Sequence, residues 1–164
     1  MNKALLLIGL LLLTVACRRG ITPIPLAEYG ELYHHNESAT VFSIPSSGTY
    51  YNLTLLDPGE LRGITVANSV FSIRNVGVYA AQWHLSFSGG GGKEYEVTVL
   101  LNNVEQVKCE GYRKLGNAGD VGNMGGTCLL SLAQNDTLAL AVESVSNPAA
   151  DINVYTSNFN VVKI

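Results

Sequence analysis

The segment VYAAQWHLSFS at residues 78–88 alternates between two kinds of side chain. One face has mainly large apolar groups, and the other has small or polar groups such as Gln82 and His84. Successive side chains of a β-strand point to opposite sides of the sheet, so this alternation predicts a half-buried strand. The face that we expect in the core consists of Tyr79, Ala81, Trp83, Leu85 and Phe87.

Short strand patterns continue on both sides of this segment, separated by Gly, Asn, Pro and Asp turns. After the glycine run 89–92, residues 93–101 alternate again, and residues 152–164 predict the last strand. Residues 127–132 and 136–145 predict a hairpin-like pair around a short turn. Eight or more short strands without an amphipathic helix predict an all-β, antiparallel two-sheet sandwich or a barrel.

Composition limits the partners of the chain. Its 164 residues suit one domain, and 47% of them are hydrophobic, enough for a substantial core. Only 14% are charged, and the formal net charge is -3. Binding to nucleic acid relies on lysine and arginine clustered along one face, and the sequence has no such basic stripe. We therefore predict no nucleic-acid partner.

The first sixteen residues have the layout of a bacterial export signal. Lys3 supplies a positive start, residues 4–13 are apolar, and small residues precede Cys17. The apolar run is short for a bilayer, because a spanning helix needs about 20 residues. We predict a signal peptide or membrane anchor at residues 1–16, an extended tether at 17–27 and the folded domain at 28–164.

Cys17 stands where a lipoprotein signal places its lipidated cysteine, although Thr14 replaces the usual leucine. Cleavage after Ala16 and a short membrane anchor remain alternatives to lipidation. Each of these predicts an exported protein that contacts a membrane through its N-terminus or is released from it. Cys109 and Cys128 then form an even pair, which an oxidising compartment would allow to bridge. Two buried free thiols are the alternative.

Residues 110–126 contain six glycines and are predicted to form the longest surface loop. The loop combines an aromatic ring, charges and amides, which suit a sugar or the rim of a protein interface. A solvated connection without a ligand is the alternative. The candidate binding residues are Tyr112, Arg113, Lys114, Asn117 and Asp120.

Catalytic and metal-binding patterns are not apparent in the sequence. His34 and His35 would point to opposite faces of a strand, and His84 lies on a polar face. There is no Gly-x-Ser-x-Gly motif, and the acidic residues are scattered. Asp120 and Asp151 could contribute to a Ca²⁺ site, but neither lies in a dense oxygen-ligand pattern. We predict no enzyme activity, no cofactor and no metal site.

Three motifs in order carry a resemblance to a known family. They resemble the jelly roll shared by tumour necrosis factor ligands and the globular head of complement and its relatives. The usual Gly-Asp turn of the family is Asn135-Asp136 here, and asparagine also tolerates positive φ. The motifs are Phe71-Ser72-Ile73 followed by Gly77-Val78-Tyr79, then Leu130-Ser131-Leu132-Ala133-Gln134-Asn135-Asp136-Thr137-Leu138, then Asn158-Phe159-Asn160-Val161-Val162-Lys163-Ile164.

The resemblance covers residues 70–164 and is closer to tailed-phage and environmental-virus versions, on segments 85–89 and 113–122. It implies a homotrimeric jelly roll on a cell or virion surface that contacts receptors or glycans. The export signal is a departure, because virion proteins assembled in the cytoplasm need none.

Small residues opposite the apolar strand faces would let another subunit approach, namely Ala80, Ala139 and Ala141. A solvent-facing sheet with small residues is the alternative.

The leading hypothesis is a non-enzymatic, trimeric surface jelly roll for attachment or recognition, related to phage or prophage proteins. A structural decoration protein of a virion or envelope is the second hypothesis. A secreted hydrolase is the third, and it requires a concave cluster of acids or histidines that the sequence does not display.

Overall fold

A computed structural model describes residues 27–164. The predicted signal or anchor at 1–16, Cys17 and all of the tether except Ala27 lie outside these residues. Within the described part of the chain, no helix has the length and apolar character needed to cross a bilayer.

The described residues form twelve strands and one turn of 3-10 helix at Val107–Cys109. In chain order the strands are β1 (Tyr29–Phe42), β2 (Tyr51–Asn52), β3 (Asp57–Arg62), β4 (Ile64–Ala67), β5 (Val70–Ile73), β6 (Gly77–Ser88), β7 (Glu94–Leu101), β8 (Val104–Glu105), β9 (Gly111–Lys114), β10 (Val121–Leu132), β11 (Thr137–Ser144) and β12 (Ile152–Lys163).

The strands make two antiparallel sheets packed face to face. The first sheet has the order β10-β6-β12-β1-β3. The second has the order β4-β5-β11-β7-β8, with β2 also paired to β11 and β9 to β7. Each sheet contributes its apolar face to one shared core. The predicted all-β, two-sheet sandwich is thus confirmed.

β6 is the predicted aromatic strand, and it lies inside the first sheet between β10 and β12. Its five predicted core residues are buried. The Trp83 indole Nε1 donates a hydrogen bond to the Cys109 carbonyl oxygen at 2.8 Å, which satisfies the one polar atom of the ring. The ring therefore links the centre of the first sheet to the segment that leads into β9.

The predicted hairpin of residues 127–132 and 136–145 is wrong. β10 pairs with β6 in the first sheet, whereas β11 pairs with β7, β5 and β2 in the second. The turn between them carries the chain across the sandwich. Asn135 has φ 70°, and the Asp136 carboxylate accepts the Ala133 N–H at 2.7 Å. Alternation shows which face of a strand is buried, but two such strands can join different sheets.

The predicted long loop at 110–126 is also wrong in most of its length, because β9 and the first half of β10 occupy it. Its glycines allow close packing on Trp83. A Cβ atom at Gly111 would lie 2.6 Å from the ring Cη2, and one at Gly126 would lie 2.8 Å from Nε1. Only residues 115–120 connect the two strands.

The start of the domain is tied to its end. Lys163 Nζ lies 3.0 Å from Glu28 Oε1, and the Tyr79 hydroxyl donates to Glu28 Oε2 at 3.0 Å. Burial raises the Glu28 pKa, but hydrogen bonds from Lys163, Asn75 and Tyr79 outweigh it and hold the pKa below its usual value. The ionised Glu28 carboxylate, just before β1, therefore contacts both Tyr79 of β6 and Lys163 of β12.

Candidate binding surfaces

Three of the five candidate binding residues lie on β9, the strand that pairs with β7. Tyr112 pairs with Glu96 and Lys114 with Glu94, whereas Arg113 pairs with the buried Tyr95. Tyr112 and Lys114 therefore project on the outward side of the second sheet, and Arg113 projects on the other side. All three candidates are exposed.

Glu94 holds Tyr112 and Lys114 together. The Lys114 Nζ lies 3.1 Å from Glu94 Oε1. Hydrogen bonds from Tyr112 and Lys114 lower the pKa of Glu94, and the same bond to Glu94 raises the pKa of Tyr112. The phenol ring is thus presented beside an ion pair, an amphipathic arrangement that suits a polar ligand with one apolar face.

The other two candidates form the turn after β9. The Asn117 N–H donates to Asp120 Oδ2 at 2.7 Å, and the Asp120 N–H donates to the Asn117 carbonyl at 3.2 Å. This turn packs on the four-glycine connection, where a Cβ at Gly91 would lie 2.6 Å from the Ala118 nitrogen. The Asp120 carboxylate therefore shapes its own loop, while the Asn117 side chain remains exposed.

Cys109 and Cys128, for which a bridge and two free thiols were both open, form a disulfide in the structure. Their Cα atoms are 5.2 Å apart, and their separation in the sequence is 19 residues. The bridge encloses all five candidate binding residues, because these lie between its two ends. It therefore fixes the start of β9 against β10.

The outward face of the first sheet carries a continuous apolar patch at one end. Leu129, Ala80 and Val162 are adjacent in register across β10, β6 and β12. Val78 and Ile164 extend this row, since the Ile164 N–H donates to the Val78 carbonyl at 3.0 Å. Leu129 is 52% exposed, and Val78 and Val162 are each 41% exposed. We call these five residues the apolar patch.

The outward face of the second sheet has a different character. Ala139 and Ala141 were expected to be open to another subunit, but both are buried, which overturns that expectation. They lie on β11, which is flanked by β7 on one side and by β2 and β5 on the other. Short methyl groups do not reach the surface of such an enclosed strand.

The same sheet carries a group of glutamates that the sequence pattern does not predict to converge. Carboxylate oxygens of Glu96, Glu105 and Glu110 all lie within 4.8 Å of one another. Glu143 pairs directly with Glu96 across β11 and β7. We call these four residues the carboxylate cluster. Among the described residues, this is the only place where potential metal ligands converge, and no histidine belongs to it.

Two members of the carboxylate cluster and the neighbouring Tyr50 have raised pKa values. Hydrogen bonding with Glu105, followed by burial and by Glu96, raises the pKa of Glu110 to about 7. Burial and the charges of Glu96 and Glu105 raise the pKa of Glu143. Burial and a hydrogen bond to Glu96 also raise the pKa of Tyr50. The raised pKa values show that the carboxyl groups of the cluster repel one another's charge and retain protons to higher pH than isolated glutamates.

The sequence offered only a weak signal for this group. Glu96 and Glu143 occupy outward positions of two strands, but Glu105 lies in the two-residue strand β8 and Glu110 lies between the 3-10 helix and β9. Convergence depends on the pairing of β7 with β11, β8 and β9. No spacing rule within the sequence reveals that pairing.

Comparison with known proteins adds the fold class. No family model matches the chain, and no curated protein matches it. Among solved structures, Eiger TNF from S. frugiperda has a TM-score of 0.58 at 13% identity, covering 84% of this chain and 92% of that one. Murine APRIL at pH 8.5 has a TM-score of 0.57 at 12% identity, covering 84% of this chain and 100% of that one.

Residues 27–164 therefore form a jelly-roll domain with a sheet on each side of one core. The particular jelly roll is the tumour necrosis factor-like one, as the resemblance predicted. At such low identity the likeness establishes the fold alone. The closer kinship with tailed-phage and environmental-virus versions stays a prediction.

Proposed function

We propose that this protein is an exported, surface-displayed, non-enzymatic binding module that assembles as a homotrimer. The observation that carries the proposal is the apolar patch on the outward face of the first sheet. Single exposed apolar residues are common on soluble proteins, but a contiguous group on one face is typical of an interaction site.

A second copy of the chain is the occupant that the fold favours for this patch. Oligomers of identical chains close by symmetry, so one patch can meet the next around a threefold axis. The rows beside the patch carry polar side chains such as Gln82 and Asn160, which can pair across subunits. One solved domain with the same fold is named Eiger TNF, and the resemblance to tumour necrosis factor ligands supports self-association and receptor binding in general.

Export and anchoring follow from the N-terminal pattern. A signal at residues 1–16 would direct the chain out of the cytoplasm, and a lipid on Cys17 would hold it at a membrane. The Cys109–Cys128 disulfide supports an oxidising compartment, because such bonds persist there. A released cell-surface domain and a virion-surface protein are the alternatives for location.

Recognition is assigned to the edge that begins at β9. Tyr112 and Lys114 share the outward side of the strand, and Asn117 is exposed in the following turn. An exposed ring beside charged and amide groups can stack on a sugar or contact a receptor rim. Arg113 and Asp120 contribute charge to the border of this edge.

Light scattering on the purified chain tests assembly. We expect the mass of three chains for the wild type and of one chain for Leu129→Glu, because a carboxylate in the apolar patch cannot be buried unpaired. Val104→Glu is the matched control, since Val104 is 63% exposed and lies on β8 of the second sheet, whereas the patch lies on the first sheet. A monomeric wild-type chain at micromolar concentration contradicts the trimer.

A glycan array tests recognition with the same preparation. We expect reproducible hits that Tyr112→Ala abolishes and Val104→Ala preserves, because both side chains are exposed and only the first belongs to the β9 edge. An intact trimer without hits on glycans or on host-cell surfaces would favour the second candidate, a structural decoration protein.

A further inference from the structure

A groove runs along the outward face of the second sheet, close to the carboxylate cluster. Its volume is about 980 Å³, and β2, the β7–β8 turn and the end of β1 line it. Phe42, Pro45, Leu100 and Val104 supply apolar walls, while Tyr50 and Tyr51 supply aromatic ones. Glu105 belongs to both the groove wall and the carboxylate cluster.

The cluster brings four carboxyl groups together on one surface. Glu143 and Glu96 stand directly opposite each other, and like charges in that position destabilise a sheet. Glu105 and Glu110 add further carboxylates within 4.8 Å of Glu96. The described ion pairs are Lys114–Glu94 and Lys163–Glu28, so no described lysine or arginine neutralises these four residues.

Two further observations favour a cationic partner at this place. No amide, hydroxyl or amino group donates a hydrogen bond to the buried Glu110 Oε1 atom, so only protons shared with Glu105 or Glu96 offset its charge. The Tyr50 ring borders the groove, and hydrogen bonding links its hydroxyl to Glu96. Phenol rings beside carboxylates are a favourable environment for ammonium and guanidinium groups.

We propose that this groove binds a basic, extended segment of a partner protein and places a lysine or arginine side chain in the carboxylate cluster. The apolar and tyrosine walls would take the aliphatic stem and the neighbouring residues of that segment. The inference rests on the proposed role as a binding module, but not on trimer formation, since no residue of the apolar patch lines the groove.

A divalent metal ion is the competing occupant, because three carboxylates could hold one. The groove favours the peptide, because it is far larger than an ion needs and its walls combine aromatic and aliphatic side chains with polar ones. A bare cation would use the cluster alone and leave those walls without a role. The two occupants are separated by experiment.

The test is fluorescence anisotropy of the full chain with a labelled hexapeptide that contains two arginines. The control peptide carries citrulline in place of both arginines. We expect Glu105→Gln combined with Glu143→Gln to weaken binding of the arginine peptide by about tenfold or more. We also expect tighter binding at pH 8 than at pH 6, because Glu110 loses its proton near pH 7.

The matched control is Glu37→Gln combined with Glu60→Gln, which removes the same charge from exposed positions of the first sheet. Equal weakening in both double variants, or equal binding of the citrulline peptide, overturns the proposal. So does stoichiometric Ca²⁺ binding that displaces the peptide and is lost in the Glu105 and Glu143 variant. Light scattering of the same samples keeps the outcomes apart: a trimer without peptide binding removes only this inference, and a monomer removes only the assembly.

Discussion

Reduction of the Cys109–Cys128 disulfide should destabilise the domain by an amount that its loop length sets. The bridge joins residues 19 apart, and a closed loop of that size restricts the unfolded chain by about 3 kcal/mol at 25 °C. Both cysteines are buried, so the reduced thiols remain packed in the core and add little cost of their own. The full loss should therefore appear in the free energy of unfolding.

Urea unfolding of the oxidised and the reduced chain measures this loss. Trp83 is the single tryptophan, and its indole donates to the Cys109 carbonyl, so its fluorescence reports directly on this region. For a urea dependence of about 1–3 kcal/mol per M, the midpoint should fall by about 1–3 M. The slope should rise on reduction, because the unfolded chain without its cross-link exposes more surface.

Cys17 provides the control, because it lies outside the closed loop. Cys17→Ser should leave the oxidised midpoint unchanged and should remain fully sensitive to reductant. A reduced chain with the same midpoint as the oxidised one would refute the reasoning, since the loop would then have no entropic effect on the unfolded state.

Three further changes have outcomes that the structure specifies. Glu143→Gln should raise the melting temperature by about 2–4 °C near pH 8, because the repulsion from Glu96 is worth up to about 1 kcal/mol. Because the pKa of Glu143 is raised in the folded state, ionisation of its carboxyl group destabilises the fold. This destabilisation begins as pH rises past about 4.5, so calorimetry near pH 4 should show no gain in melting temperature. Glu28→Gln should lower the urea midpoint near pH 7, and the difference should shrink as pH falls below about 4.5 towards the lowered pKa of the wild-type carboxylate. Gly126→Ala should cost about 1–3 kcal/mol in the same urea assay, because its Cβ would meet the Trp83 ring; an unchanged midpoint would mean that the ring moves freely.

Part of the candidate site was predictable because it depends on local chemistry. Tyr112 and Lys114 were found as exposed groups near glycines, and the structure places both on the outward side of one strand. Asp120 was found as well, but its carboxylate caps its own turn. The sequence predicts a surface loop around Gly111 and Gly126, whereas in the structure these glycines allow close packing of the Trp83 ring, more than twenty residues away in the sequence.

The sequence by itself determined the all-β class and the buried face of the strand at residues 78–88, but not that both faces of β11 are buried. Side-chain alternation is a property of neighbouring residues, so it survives without knowledge of any partner strand. Only the tertiary structure decided that β10 and β11 separate into different sheets and that the carboxylate cluster converges. Both depend on contacts between residues far apart in the chain, and these form through the packing of the whole sandwich around one core.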